Sequence, residues 1–124
     1  MNLYFFISGV LAFLAGLGHS YIGERHFLPR LKQCEDPEHF GIEGYVNRAL
    51  RATWHFVTFA LWSAAAILII FAFRELEPSM IIVVRIISNF YFFTGIYLLV
   101  LSRGRQVLWI VLFVISALIW IGTI

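Results

Sequence analysis

The chain has 124 residues, of which 61% are hydrophobic, 18% aromatic and only 13% charged. A soluble domain of this size leaves about a third or more of its surface in water and cannot hide that much apolar area, so composition excludes an ordinary soluble fold and points to the bilayer. The formal net charge of +2 comes from basic residues in the segments between apolar runs, a membrane pattern and no signature of nucleic-acid binding. Cys34 is the only cysteine, which rules out an intrachain disulfide and a cysteine-pair metal site.

A helix needs about 20 mostly apolar residues to cross the hydrocarbon. Four stretches qualify, predicted at 3–21, 52–73, 80–101 and 107–124, in a single domain covering residues 1–124. The first run has no basic residue ahead of it and is read as a retained helix and not as a cleaved leader. Along it Ser8, Ala12, Gly16, Ser20 and Glu24 recur at every fourth position. This small-residue ridge suits close helix packing, either within the molecule or between two copies.

Residues 22–51 form the only substantial segment outside the four runs. Pro29 is expected to end any continuation of the first helix. Phe27, Leu28 and Leu31 would then face lipid or the bundle, while Arg30 and Lys32 reach the headgroups. Asp36 and Pro37 read as the capped start of a short helix, and Asn47 as the cap of the second long one. Cys34 lies among Glu35, Asp36 and His39, surroundings that do not activate a thiol.

The second run carries Arg48, Arg51 and His55 at positions i, i+3 and i+7, one helical face that continues through Thr58 to Trp62. Pro78 and Ser79 suit the start of the third run. Within that run Arg85 is expected to snorkel outward or to pair with Glu75 or Glu77, and Asn89 to bond between helices; together they form a second candidate polar site. On the fourth run Trp109, Ser116, Trp120 and Thr123 share a face, the two tryptophans as interfacial anchors. The short connections RELEPS and SRGR predict two antiparallel hairpins.

Orientation follows from lysine and arginine. Arg25, Arg30, Lys32, Arg48, Arg51, Arg103 and Arg105 lie in the first and third loops, against Arg74 and Arg85 on the other side. The first and third loops are therefore expected in the cytoplasm, with both termini outside. His19 then lies just before the first helix exits and His55 just after the second begins, each about 5 Å inside the same boundary.

That matched depth groups His19, Ser20, Glu24, Arg51, His55 and Arg105 into a candidate ligand-binding cluster. It could hold the head of an anionic lipid or a quinone, ligate haem b between His19 and His55, bind a divalent metal with Glu24 as oxygen donor, or relay protons. Plain interfacial capping by the histidines is the simplest alternative. No Ser/His/Asp arrangement, phosphate-cradling glycine loop or metal-binding HExxH spacing is evident.

The stretches GHSYIGER (18–25), RATWH (51–55) and SRGRQVLWIVLFVISALIW (102–120) resemble a group of uncharacterised small bacterial integral membrane proteins carrying G-H-S-x-x-G-E-R, W-H and G-R-x-x-x-W. The resemblance implies a four-helix architecture and a bacterial inner membrane, and brings no activity with it. Small multidrug exporters differ, since they would place a glutamate inside the first span, whereas Glu24 sits at its boundary. The expectation is thus an all-α, multi-pass, inner-membrane four-helix bundle. Its leading role is non-enzymatic binding of a lipid, small molecule or partner protein at the cytoplasmic rim. A redox component holding haem or quinone through His19 and His55, and a small homo-oligomeric transporter or channel, are the alternatives.

Overall fold

A computed structural model describes the backbone of residues 1–33 and 42–124 and the side chains of residues 1–30 and 45–124. The described chain is all-helical. Helix α1 (Leu3–Ile22) passes through a wider π-turn segment (Gly23–Phe27) directly into α2 (Leu28–Gln33); α3 (Ile42–Ala72), α4 (Pro78–Ser102) and α5 (Leu108–Gly122) follow. Three helical stretches, Leu3–Arg30, Tyr45–Ala72 and Pro78–Ser102, are long and apolar enough to cross a membrane. At 15 residues, or about 22 Å, α5 is shorter than the fourth span expected at 107–124.

The largest departure from expectation concerns residues 22–51. Helix runs on past Pro29 to Gln33, and α3 begins at Ile42, ten residues before the predicted 52. The π-turn explains the first of these. The N–H of Leu28 reaches back to the carbonyl of Gly23, five residues away, which widens the turn just where the Pro29 ring would otherwise strike the preceding carbonyls. Asn47, expected as a cap, lies inside α3. The predicted cap at Asp36 and Pro37, and Cys34 with its acidic neighbours, lie outside the described residues.

Each helix contributes one narrow buried stripe. Phe5, Ser8, Ala12 and Gly16 come from α1; Leu61, Ala65, Leu68 and Ala72 from α3; Val84, Ser88, Tyr91 and Gly95 from α4; and Leu112, Ile115, Ser116 and Ile119 from α5. The three- and four-residue spacing is that of a single helical face. Most other large apolar side chains point outward, among them Phe56, Phe59, Ile82 and Phe93, as lipid would favour and water would not.

Helix α1 is central. It packs on α3 along one side and on α5 along another, and α4 packs on α5, while α3 and α4 touch only slightly. Going along α1, the residues met on α3 run from Ala72 through Ile69 and Trp62 to Trp54. The small-residue ridge makes this approach close: a Cβ on Gly9 would lie 2.7 Å from Cγ1 of Ile69, and one on Gly16 2.6 Å from Nε1 of Trp62. Of the two readings of the ridge, the structure uses packing within the molecule.

Asn2 ties three helix ends together. Its side chain caps α1 by accepting from the N–H of Phe5, its backbone N–H donates to the carbonyl of Ala72 (2.6 Å), and its amide donates to the carbonyl of Gly122 (2.9 Å). Two helix C-terminal carbonyls that would otherwise lack partners are thereby satisfied. At the far end Arg103 (φ 53°) and Gly104 (φ 77°) close α4 in left-handed conformations, as glycine readily permits at a helix C-terminus.

Between α4 and α5 the Ser88 hydroxyl donates to the carbonyl of Ser116 (2.9 Å) and lies 2.9 Å from its hydroxyl, with both residues buried. Ser88→Ala should lower stability by about 1 kcal/mol, read as an earlier midpoint in an SDS unfolding titration. An unchanged midpoint would mean that the pair is not a net contributor.

Candidate functional site

Trp54 organises the region that the sequence marked. Its indole ring lies between the imidazole of His19 (centroids 4.3 Å apart, planes 6° from parallel) and the ring of Phe27 (4.8 Å, 24°). Its Nε1–H donates to the carbonyl of His19 at 2.9 Å, and Nε2 of His19 donates in return to the carbonyl of Trp54 at 3.3 Å. His19, Gly23 and Phe27 are four residues apart along the continuous α1 and π-turn helix. Gly23, with no side chain, leaves the slot that the indole fills. The indole closes the face between His19 and Phe27, and His26 is exposed.

One residue further round, a second constellation forms. Nε2–H of His55 donates to Oε1 of Glu24 at 2.6 Å, and the Ser20 hydroxyl lies 3.3 Å from Nδ1. Arg51 faces the other carboxylate oxygen at 3.5 Å. Ser20 and Glu24, four apart on one helix, thus bracket His55 from the other, and Arg51 precedes His55 by one turn. The face from Arg51 through His55 and Thr58 to Trp62 points at α1: Thr58 is buried, and Trp62 stacks on Phe13 at 5.6 Å. His19 takes the Trp54 carbonyl, the acceptor a helical threonine at 58 would use, and among the described residues the Thr58 hydroxyl has no partner.

Four of the six predicted cluster residues, Ser20, Glu24, Arg51 and His55, form one connected network. His19 is joined to it through Trp54, the neighbour of His55. Arg105 stays exposed in the α4–α5 connection, and none of the hydrogen bonds or ion pairs among the described residues links it to the cluster. Its neighbours Gln106 and Val107 are the residues of that connection that line the cleft beside His19.

The network is a serine–histidine–glutamate chain, an arrangement not legible in the sequence. It can hold a proton and fix the imidazole, with Ser20 donating to Nδ1 and Nε2–H donating to Glu24. Acyl transfer needs, besides such a chain, a pair of N–H donors aimed at the developing oxyanion. The N–H groups flanking Ser20 are committed to the helix ladder. Nor does the geometry suit haem ligation: both ring nitrogens of His55 are engaged, and His19 lies flat on Trp54 with its Nε2 on a carbonyl. Among the described residues no three His, Cys, Asp or Glu side chains converge on one point.

Beside His19 a cleft of about 460 Å³ opens between α1, α3 and the start of α5, lined by Ala15, Gly18, His19, Ile22, Trp54 and, from the α5 side, Gln106 to Leu108 and Val111. Its walls are apolar except for the imidazole of His19 and the amide of Gln106. That combination of an apolar body and a few convergent polar groups is typical of small-molecule sites.

The second predicted polar site takes a different form from that expected. The guanidinium of Arg85 lies over the ring of Trp120, 4.9 Å from its centroid; of its two expected roles, snorkelling outward or pairing with Glu75 or Glu77, the second finds no ion pair among the described residues. Asn89 borders a separate cleft with Phe92, Phe113, Ser116, Ala117 and Trp120. Ser88, its neighbour, makes the bond between helices that was expected of Asn89.

No family model, curated protein or solved structure matches the chain.

Proposed function

We propose that the chain is a multi-pass protein of a bacterial inner membrane that binds one amphiphile in the cleft beside His19. In this reading α5 makes the fourth crossing, successive spans run in opposite directions, and both termini lie outside, leaving the cleft and the polar network at the cytoplasmic rim. The lysine and arginine distribution supports that orientation. The ligand would place its apolar body against Ala15, Ile22, Leu108 and Val111. Its polar head would lie by His19 and Gln106. An anionic lipid and an isoprenoid quinone share this chemistry.

The observation that carries the proposal is the cleft itself. Its volume of about 460 Å³ falls within the usual range for small-molecule sites, about 300–1,000 Å³. It is bounded by three helices, and its polar groups gather on the side of the network.

The test is purification in mild detergent followed by mass spectrometry of extracted lipids and quinones, then titration with phosphatidylglycerol vesicles and with a short-chain quinone. About one equivalent of retained amphiphile is expected. A quinone would also quench Trp54 fluorescence on binding, whereas the lipid would bind without quenching, which separates the two sources. A sample that retains neither and takes up neither would overturn the proposal.

A further inference from the structure

Asn89 is exposed on α4, whereas its neighbour Ser88 is buried and bonded to Ser116. Residue 89 is close to the middle of Pro78–Ser102, and residue 116 to the middle of Leu108–Gly122. The Asn89 amide therefore stands at mid-height of two packed helices, exposed beside a hollow that Ser116 also borders. If α4 crosses the hydrocarbon, the lipid chains there offer no partner for an amide with two N–H donors and a carbonyl acceptor. None of the side-chain hydrogen bonds among the described residues supplies one. An amide left unpaired at that depth is costly.

We propose that Asn89 bonds to Asn89 of a second copy of this chain, making α4 the face of a homodimer. The amide itself selects this occupant. It is both donor and acceptor, so two copies satisfy each other when the same residue meets itself, as happens on a two-fold axis. The shape beside it is suited to such a contact. The cleft next to Asn89, about 410 Å³ and lined by Phe92, Phe113, Ser116, Ala117 and Trp120, is a hollow, and Phe93, 65% exposed on the same helix, is a projection able to enter the hollow of the second copy. Arg85 is engaged by Trp120, whereas the Asn89 amide is an exposed polar group with no side-chain hydrogen bond among the described residues. The ridge of α1 cannot serve instead, because Ser8, Ala12 and Gly16 are buried within the molecule.

The experiment uses the full chain in mild detergent, with mass read by sedimentation equilibrium, together with oxidative cross-linking in native membranes on a Cys34→Ser background. The wild type is expected to be dimeric. Asn89→Leu should weaken the dimer about tenfold or more while helicity by circular dichroism is kept, and Asn89→Gln should retain it. Asn89→Cys should cross-link to a dimer, whereas Phe56→Cys on the outer face of α3 should not. A monomeric wild type, with or without an amphiphile at Asn89, would overturn the proposal. So would a dimer indifferent to Asn89→Leu that fails to cross-link at position 89.

Discussion

Gly18→Leu is expected to reduce amphiphile binding at least tenfold while leaving the fold intact. Gly18 lines the cleft beside His19, and a Cβ built on it meets no atom within 4 Å. A leucine there projects into the space assigned to the ligand and displaces nothing else. The same change exchanges a poor helix former for a good one within α1, worth about 1 kcal/mol in favour of the helix. Stability should therefore hold or rise as binding falls. The check is a quinone or phosphatidylglycerol titration beside a thermal melt of the same preparation. Undiminished binding with a normal melt would place the ligand elsewhere, while reduced binding with a lowered melt would mean that the substitution had damaged the fold.

Much of the architecture could be read in advance because apolar length and charge are local properties. The third helix, expected at 80–101, is observed at Pro78–Ser102, since RELEPS and SRGR stop the pattern cleanly at both ends. The region 22–51 misled because a proline normally ends a helix. Whether a π-turn lets the helix pass depends on what fills the widened turn, and that filler, Trp54, lies some thirty residues away on another helix. The site was legible to the same degree. The matched depth of His19 and His55 grouped Ser20, Glu24, Arg51 and His55 in advance, and hydrogen bonds and an ion pair join these four. The role of Trp54 could not be read, because a tryptophan at that depth ordinarily signals an interfacial anchor. Only the adjacency of Trp54 and His55, opposite a glycine between His19 and Phe27, hinted that it was inserted into the packing. Arg105 was misplaced for a simpler reason: a loop residue's direction depends on the turn, and Arg103 and Gly104 make that turn left-handed.

Gly23→Val, five residues further along the same continuous helix, is expected to lower stability and binding together, where Gly18→Leu lowers binding alone. The indole of Trp54 lies directly against the Gly23 backbone, so any Cβ there collides with Nε1 of the indole. The ring has no room to retreat. His19 and Phe27 hold its two faces at 4.3 and 4.8 Å, and its N–H is bonded to the carbonyl of His19. Either the indole leaves its slot or α1 and α3 separate at this end. Overpacking of this kind costs about 1–3 kcal/mol, and loss of the indole hydrogen bond adds about 1 kcal/mol. Because His55 follows Trp54 directly, its bonds to Ser20 and Glu24 should loosen with it, and amphiphile binding should fall together with the melting midpoint. A double-mutant cycle isolates the cause. In a Trp54→Ala background the slot is empty, and Gly23→Val should then cost little beyond the effect of Trp54→Ala itself. An equal cost in both backgrounds would place the damage in the π-turn backbone and remove the indole as the element that joins the two helices.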